Sequence, residues 1–207
     1  MTMDNNMVEE KFRQWTAGLD QMSARIALFE NIRDIPYEII PELRDPVRGP
    51  SRMLEIGRGS CVPKHWLLCY YFKKMGLKVK YATYPFRWHN SRVKYPFDIK
   101  ILLKDLPINY HLACKVFIDG KWKLVDATMD PGVETAGFRI NNFWDGECDT
   151  KNAVDPLEEV LHDTPEDRVA YEAERKSIYT DSEKSATAEF VPKLNAWLML
   201  VRKSSAI

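Results

Sequence analysis

Hydrophobic residues recur at three- and four-residue steps through residues 7–32, and charged residues fill much of the space between them. This spacing is typical of a helix that packs one face on a core, although Gly18 can interrupt it. The hydrophobic stripe consists of Val8, Phe12, Trp15, Leu19, Met22, Ile26 and Phe29. Four prolines follow within residues 34–52. Because proline disfavours helix in the residue before it, this segment is predicted to be an extended connection.

An apolar run over residues 61–75 follows directly on a segment that contains glycine and serine. Ser60 is a favourable N-cap, Pro63 is compatible only with a first helical turn, and Gly76 is a typical stop signal. These residues predict a helix that begins at Cys61. Its spacing places the following residues on one face: Cys61, His65, Leu68, Cys69 and Phe72.

Residues 77–84 alternate between apolar and polar side chains, which predicts a strand. Residues 87–105 are mixed and interrupted by proline, so we expect a long loop there, with a short strand or turn near residues 99–103. Residues 136–144 are a further strand candidate. The aromatic residues of the segment that begins at Tyr84 are expected to form a cleft wall: Tyr84, Phe86 and Trp88.

Two helices are predicted near the end of the sequence, over residues 165–179 and 185–202. The first begins with Thr164 as N-cap, followed by proline and an acidic first turn. The second carries apolar residues at helical spacing and is expected to pack on the core: Phe190, Leu194, Trp197 and Val201.

The clearest local signal is a β-hairpin over residues 111–128. Two apolar strands flank Asp119 and Gly120, the dipeptide of a two-residue type I′ turn. With that turn, Ile118 pairs with Lys121.

The same register opposes Ala113 to Asp126 and His111 to Thr128. Because side chains alternate between the faces of a sheet, these four residues lie on one face and Cys114 lies on the other. His111 and Asp126 become diagonal neighbours, about 7–8 Å apart at the backbone and within side-chain reach.

Three residues in chain order then supply the parts of a nucleophilic centre. Cys61 at a helix N-terminus is in an environment that lowers a thiol pKa and favours the reactive thiolate. His111 is the candidate base, and Asp126 is the carboxylate that orients it and stabilises its charged form. Each has a plainer alternative, since a cysteine near a helix can be a small core residue and a His–Asp pair can lie on the surface.

Other assignments remain open. His65 follows Cys61 by one helical turn and could act as a local base, although no carboxylate is placed to orient it. The stripe of Cys61, His65 and Cys69 could ligate a metal, but three ligands on one straight helix face suit a tetrahedral ion poorly. Cys148 has acidic neighbours that raise a thiol pKa, so it is a poor nucleophile. His162 is expected to be a solvated residue at a helix edge.

Composition narrows the class of protein. The chain has 207 residues, 45% of them hydrophobic, enough for one domain with a sizeable core. Thirty basic and thirty acidic side chains cancel, which leaves no electrostatic footprint for nucleic acid or for a membrane surface. The first residues lack the basic and apolar regions of a signal peptide, and no uncharged apolar run approaches the ~18 residues of a membrane span, so a cytoplasmic protein with reduced cysteines is expected.

Several segments resemble the transglutaminase-like superfamily, whose members share a papain-like core, and the resemblance spans about residues 24–131. The segments are residues 57–64 (GRGSCVPK, similar to the nucleophile box), 75–79 (MGLKV, the step into a strand), 110–111 (YH), 120–122 (GKW), 126–128 (DAT) and 27–37 (ALFENIRDIPY, the lead-in helix). The chain departs from the family at Ala113, where an aromatic is frequent. No side chain matches the one that completes the oxyanion hole, which leaves the Cys61 backbone N–H as the donor.

The resemblance implies an α+β fold in which the nucleophile helix packs on an antiparallel sheet, with extra N- and C-terminal helices. A single domain over residues 1–207 is expected, with its core at 24–145 and a helical extension at 155–203. Cys61 would be the nucleophile, His111 the general base and acid, and Asp126 the orienting carboxylate.

The expected activity is cysteine-dependent acyl transfer on an amide or peptide carbonyl through a thioester. Hydrolysis is favoured over transglutaminase-type amine transfer, because water needs no acceptor site. An inactive peptide- or protein-binding module on the same fold is the alternative from another class. The expected substrate is a peptide, a protein or a small amide, and no cofactor or metal is required.

Overall fold

A computed structural model describes residues 5–89 and 92–205 of the chain. Its helices and strands are α1 Asn5–Thr16, α2 Gln21–Arg33, α3 Gly49–Ile56, α4 Cys61–Lys74, β1 Val79–Phe86, α5 Phe97–Lys100, β2 Asn109–Ile118, β3 Lys121–Val125, β4 Val160–His162, α6 Pro165–Ser177 and α7 Asp181–Ser205. Short 3-10 helices lie at Pro41–Arg44, Leu103–Asp105 and Pro131–Ala136. Helices and an antiparallel sheet share the molecule, so the predicted α+β class is confirmed.

The sheet has four strands in the order β3-β2-β1-β4, and every neighbouring pair is antiparallel. The hairpin between β2 and β3 is the one that the sequence predicts. Asp119 and Gly120 have φ angles of 48° and 77°, the positive values that a type I′ turn requires. Ile118 pairs with Lys121, and the predicted register continues until β3 ends at Val125.

Beyond Val125 the chain leaves the sheet, and part of the predicted register is wrong there. The Asp126 amide donates a hydrogen bond to Thr150 Oγ1 at 2.9 Å, and the ladder pairs of Asp126 with Ala113 and of Thr128 with His111 do not form. This amide points away from β2 and does not belong to the ladder. The Ala127 amide, which would have continued the ladder, instead donates to His65 Nε2 at 3.0 Å.

Apolar side chains are buried on both faces of the sheet. On one face, α4 packs with α1, α2 and α3, and Trp66 and Leu67 meet Leu112 and Cys114 of β2. On the other face, α7 buries three apolar side chains completely or almost so: Phe190, Leu194 and Leu198. This bears out the expected packing of the last helix on the core. The start of α4 therefore lies between two packed layers. Among the described residues, no helix combines the length and the apolar character needed to cross a bilayer.

Several local predictions are wrong. Gly18, with φ 72°, separates α1 from α2 and shifts the helical phase, so Leu19 and Met22 are exposed. Residues 49–56 form α3 rather than part of an extended connection, because Pro50 falls in the first turn, where proline is tolerated.

The strand predicted at residues 136–144 is absent, since this segment follows a 3-10 helix and continues without regular structure. The turn expected near residues 99–103 is present at residues 101–102, directly after α5. His162 is buried on β4 instead of lying at a helix edge.

Candidate active site

Cys61 is the first residue of α4, as predicted, and its residue surface is 8% exposed. Ser60 has the extended backbone of an N-cap, but its side chain makes no capping hydrogen bond, so that part of the prediction is wrong. Gly59 meets the side chains of Met53 and Pro63 so closely that a Cβ atom would lie 2.8 Å from Met53 Cγ. The turn before the cysteine therefore requires glycine for packing.

The connection that follows α2 holds this turn in place. Gly59 donates its amide to the Pro36 carbonyl at 3.0 Å, and the Glu38 amide donates to the Gly59 carbonyl at 3.2 Å. These two hydrogen bonds attach the turn before Cys61 to the connection that follows α2.

The structure brings together the three predicted residues. His111 Nε2 lies 2.8 Å from Asp126 Oδ2. His111 and Cys61 are near enough that each shifts the pKa of the other by its charge and by hydrogen bonding. His111 and Asp126 are 2% and 1% exposed. The three side chains therefore lie together as one buried group.

Asp126 is held as a carboxylate by several donors. Besides His111, its Oδ2 accepts the Ala153 amide at 2.8 Å, and its Oδ1 accepts the Thr128 amide at 3.1 Å. Burial raises the pKa of Asp126, but the charge and hydrogen bond of His111, the charge of His65 and the Thr128 hydrogen bond outweigh it and hold the pKa well below its usual range.

The electrostatics favour an ion pair between Cys61 and His111. Burial raises the pKa of Cys61, but the charge and hydrogen bond of His111, the Leu112 amide and the charge of Arg168 bring it below its ordinary value. Burial likewise lowers the pKa of His111, whereas Asp126 and Cys61 raise it to about 10. Both shifts favour a thiolate beside an imidazolium, the reactive form of a cysteine nucleophile.

His65 has a different place from the local base considered above. Its Nδ1 lies 2.8 Å from the Cys61 carbonyl oxygen, and its Nε2 accepts the Ala127 amide at 3.0 Å. Because Nε2 accepts a hydrogen bond, Nδ1 carries the ring proton and donates a hydrogen bond to the Cys61 carbonyl oxygen. Burial lowers the pKa of His65 to about 4. Both ring nitrogens are occupied by backbone groups, so the ring is not available to take a proton from the thiol.

Lys64 is a buried residue at the site that sequence reasoning missed. Its Nζ donates to the Arg33 carbonyl at 3.0 Å and to the Thr128 carbonyl at 2.8 Å, and its surface is fully buried. Burial lowers its pKa to about 7 against the opposing charge of Asp130. The available signal was its position within an otherwise apolar helical run, three residues after Cys61.

A second missed group fixes the end of α7 near the site. Arg202 donates to both carboxylate oxygens of Asp130, at 2.9 and 2.6 Å, and to the Tyr37 carbonyl at 2.9 Å. Asp130 in turn accepts the Tyr37 amide at 2.7 Å. These bonds join α7, the loop after β3 and the connection that follows α2.

Cys61 opens on a cavity of about 210 Å³. Phe86 and Trp88 form part of its wall, as predicted for that aromatic segment, whereas Tyr84 is not among the described residues that line it. The opposite wall is contributed by α6 and α7, which the sequence did not indicate. Its principal residues are Glu172, Lys176, Thr187, Phe190 and Val191. Arg44 adds a positive charge beside them.

The remaining cysteines and candidate ligands lie elsewhere. Cys69 and Cys114 are buried in the core, and Cys148 is exposed, with a pKa that Asp145 raises. Within residues 5–89 and 92–205, no group of three His, Cys, Asp or Glu side chains could hold a metal ion.

No family model matches the chain, and no curated protein is similar to it. Among solved structures, one named "Putative Cysteine Protease", from Cytophaga hutchinsonii, aligns with 59% of this chain at 15% identity and a TM-score of 0.40. The aligned part is 36% of that protein, so the chain corresponds to about a third of its length. A likeness at this level does not establish a shared fold or activity.

Proposed function

We propose that this chain is a cysteine-dependent acyl-transfer enzyme with a papain-like, transglutaminase-like core. The observation that carries the proposal is the buried series Cys61–His111–Asp126, which borders a cavity. A nucleophile, a base and an orienting carboxylate within hydrogen-bond reach are the required parts of such a centre. Their order along the chain, with the nucleophile on a helix and the base on the following sheet, agrees with the resemblance described above.

In the proposed reaction the Cys61 thiolate attacks the carbonyl carbon of an amide or peptide bond. The electron pair moves to the carbonyl oxygen, and the Cys61 backbone N–H is the expected donor to that oxyanion. As the tetrahedral intermediate collapses, the C–N bond breaks and the His111 imidazolium gives its proton to the leaving amine. The product of this half-reaction is a thioester on Cys61.

The second half-reaction releases the acyl group. His111, now neutral, takes a proton from water or from an acceptor amine, which attacks the thioester carbon. The thiolate leaves and the imidazolium forms again. We favour water as the acceptor because hydrolysis needs no separate amine site. Asp126 keeps the ring orientation and stabilises its positive charge throughout.

An activity screen with carboxamide and peptide acyl donors, run with and without an added amine, tests this proposal. Cys61→Ala should abolish turnover, because Cys61 is the cysteine among the described residues that line the cavity. Cys148→Ala should leave turnover unchanged, because Cys148 is exposed and does not line the cavity. Dependence on the amine would assign transfer rather than hydrolysis. Turnover that survives in Cys61→Ala would overturn the proposed mechanism. Peptide binding without turnover in the wild type would favour an inactive binding module.

A further inference from the structure

The cavity wall that faces Cys61 carries more positive than negative charge. Glu172 is the acidic residue in its wall, among the described residues that line it. Three cations bond the Glu172 carboxylate: Arg44 and Lys176 at Oε1, and Arg168 at Oε2. One carboxylate neutralises one of these charges, so two positive charges remain without a counter-ion in the cluster.

Two of the three cations face the cavity. The side chains of Arg44 and Lys176 are 35% and 33% exposed, and both residues line the cavity. Each has nitrogen-bound hydrogens beyond the one that Glu172 accepts, and these are available to a ligand.

Arg168 connects this cluster to the nucleophile. It is 1% exposed, it donates to the carbonyl of Tyr110, the residue before His111, and its charge acts on the Cys61 thiol. Its Nε has no hydrogen-bond partner among the described residues. The cluster therefore lies close to the place where a substrate carbonyl would react.

A more open groove of about 580 Å³ continues from the cavity. The two spaces share the following wall residues: Ile39, Pro41, Asn109, Lys176, Thr187 and Val191. The groove adds Lys184 to its wall, and none of the described residues that line it is acidic. An extended ligand that runs from Cys61 into this groove would therefore pass apolar and cationic side chains in turn.

A cluster whose only role was to attach α6 would need one cation for its one carboxylate. Each extra cation that is partly withdrawn from water costs desolvation, and a bound anion would offset that cost. The partly exposed Arg44 and Lys176 are positioned to meet such an anion at the mouth of the reactive cavity.

We propose that the acyl donor is a peptide segment with a carboxylate that binds Arg44 and Lys176 while its reacting carbonyl faces Cys61. This inference rests on the proposed function, because it names the substrate class of the same site. The carboxylate can belong to an acidic side chain or to a free C-terminus, since both present the same group to a guanidinium and an ammonium.

Two alkylating reagents that differ only in charge test the inference without a substrate. Iodoacetate and iodoacetamide both modify the Cys61 thiolate, so the ratio of their rates isolates the effect of the carboxylate. Lys176→Met and Arg44→Met should each lower the iodoacetate-to-iodoacetamide ratio at Cys61 about fivefold, through loss of one nearby positive charge. Lys203→Met, which removes an exposed lysine outside the cavity, is the matched control and should leave the ratio unchanged.

The outcomes separate the two proposals. If Cys61 reacts rapidly but its ratio is the same in Lys176→Met, Arg44→Met and the control, the carboxylate proposal is wrong and the proposed function stands. If neither reagent modifies wild-type Cys61 faster than Cys69 and Cys114, both proposals fail.

Matched peptides then identify the source of the carboxylate. Pairs with Glu or Gln, and with a free or amidated C-terminus, should differ about tenfold in kcat/KM with the wild type, and the difference should shrink in Lys176→Met. A preference confined to the free C-terminus assigns the terminal carboxylate, and one confined to Glu assigns the side chain. Equal turnover of all peptides by the wild type would overturn the proposal.

Discussion

His65 donates a hydrogen bond of 2.8 Å to the backbone carbonyl of Cys61, not to its thiol. The other nitrogen of the same ring accepts the amide of Ala127, the residue that follows Asp126. One imidazole therefore links the first turn of α4 to the chain that carries Asp126. The distance between Cys61 and the Asp126 carboxylate is set in part by a residue that takes no proton in the proposed reaction.

His65→Leu should slow the reaction of Cys61 and destabilise the fold by about 1–3 kcal/mol, because the buried Ala127 amide loses its acceptor. His65→Gln should retain more of both properties, since its side-chain oxygen can accept that amide. Urea unfolding gives the stability of each variant, and the pH profile of Cys61 alkylation reports the geometry. If His65→Leu unfolds more easily but keeps the wild-type pH profile, His65 supports the fold without positioning the site.

The reactivity of Cys61 should reach its plateau at lower pH than that of an ordinary thiol. Its pKa is lowered and that of His111 is raised to about 10, so the thiolate–imidazolium pair persists between these two values. The rise of iodoacetamide alkylation with pH should therefore come at lower pH for Cys61 than for an ordinary thiol, and a plateau should follow it. Exposed Cys148, whose pKa Asp145 raises, is an internal control and should react about tenfold faster for each unit of pH.

Asp126→Asn should remove that plateau. The carboxylate accepts from His111, Thr128 and Ala153 together, and an asparagine would turn an N–H group towards one of these donors. The pKa of His111 should then fall towards its ordinary value and that of Cys61 should rise. Mass spectrometry of alkylated peptides between about pH 5 and 10 measures the change. An unaltered plateau in Asp126→Asn would contradict the role assigned to the carboxylate.

Lys64 should make stability depend on pH in the basic range. Its pKa is about 7 in the folded protein against an ordinary 10.5, so between these values the unfolded chain binds more protons than the folded one. The free energy of unfolding therefore rises with pH in that window and carries the full cost of the buried charge below it. The stability advantage of the wild type over Lys64→Met should grow from about pH 6 to about pH 9 in urea unfolding. A constant difference would show that Lys64 does not titrate there.

Arg202→Met should destabilise the protein by about 2–3 kcal/mol, because it removes charge-assisted hydrogen bonds to Asp130 and to the Tyr37 carbonyl. Lys203→Met, one residue later on the exposed side of α7, is the control and should change stability by less than about 0.5 kcal/mol. Thermal unfolding of both variants makes the comparison. Equal effects would show that the Asp130 bonds contribute nothing specific.

Local signals predicted the parts of this fold that depend on a few neighbouring residues. The Asp119–Gly120 turn, the Thr164 cap of α6 and the start of α4 at Cys61 are all present. The neighbourhood of His111 and Asp126 also followed from strand alternation, although Asp126 lies just past the strand. His65, which accepts the Ala127 amide where the chain leaves the sheet, is 62 residues away and left no local sign.

The opposite wall of the cavity could not be predicted for the same reason. The Arg44–Glu172 bond joins residues 128 positions apart, and neither has a neighbour that indicates the other. Lys64 resembles any lysine on a helix until the packing of Thr128 and Arg33 around it is known. Long-range contacts of this kind depend on the assembled core and not on a short pattern.

The three candidate catalytic residues and the charged residues of the facing cavity wall come from different parts of the sequence. Cys61, His111 and Asp126 lie on α4, β2 and the loop after β3, whereas Glu172 and Lys176 lie on α6. Substitutions on α6 can therefore change which molecules enter without disturbing the hydrogen bonds among the three candidate catalytic residues. Proteins that keep this sheet and α4 can differ in the ligands they bind through changes in α6 alone. Differences in ligand preference between such proteins should therefore be sought in the residues of α6 that face the cavity.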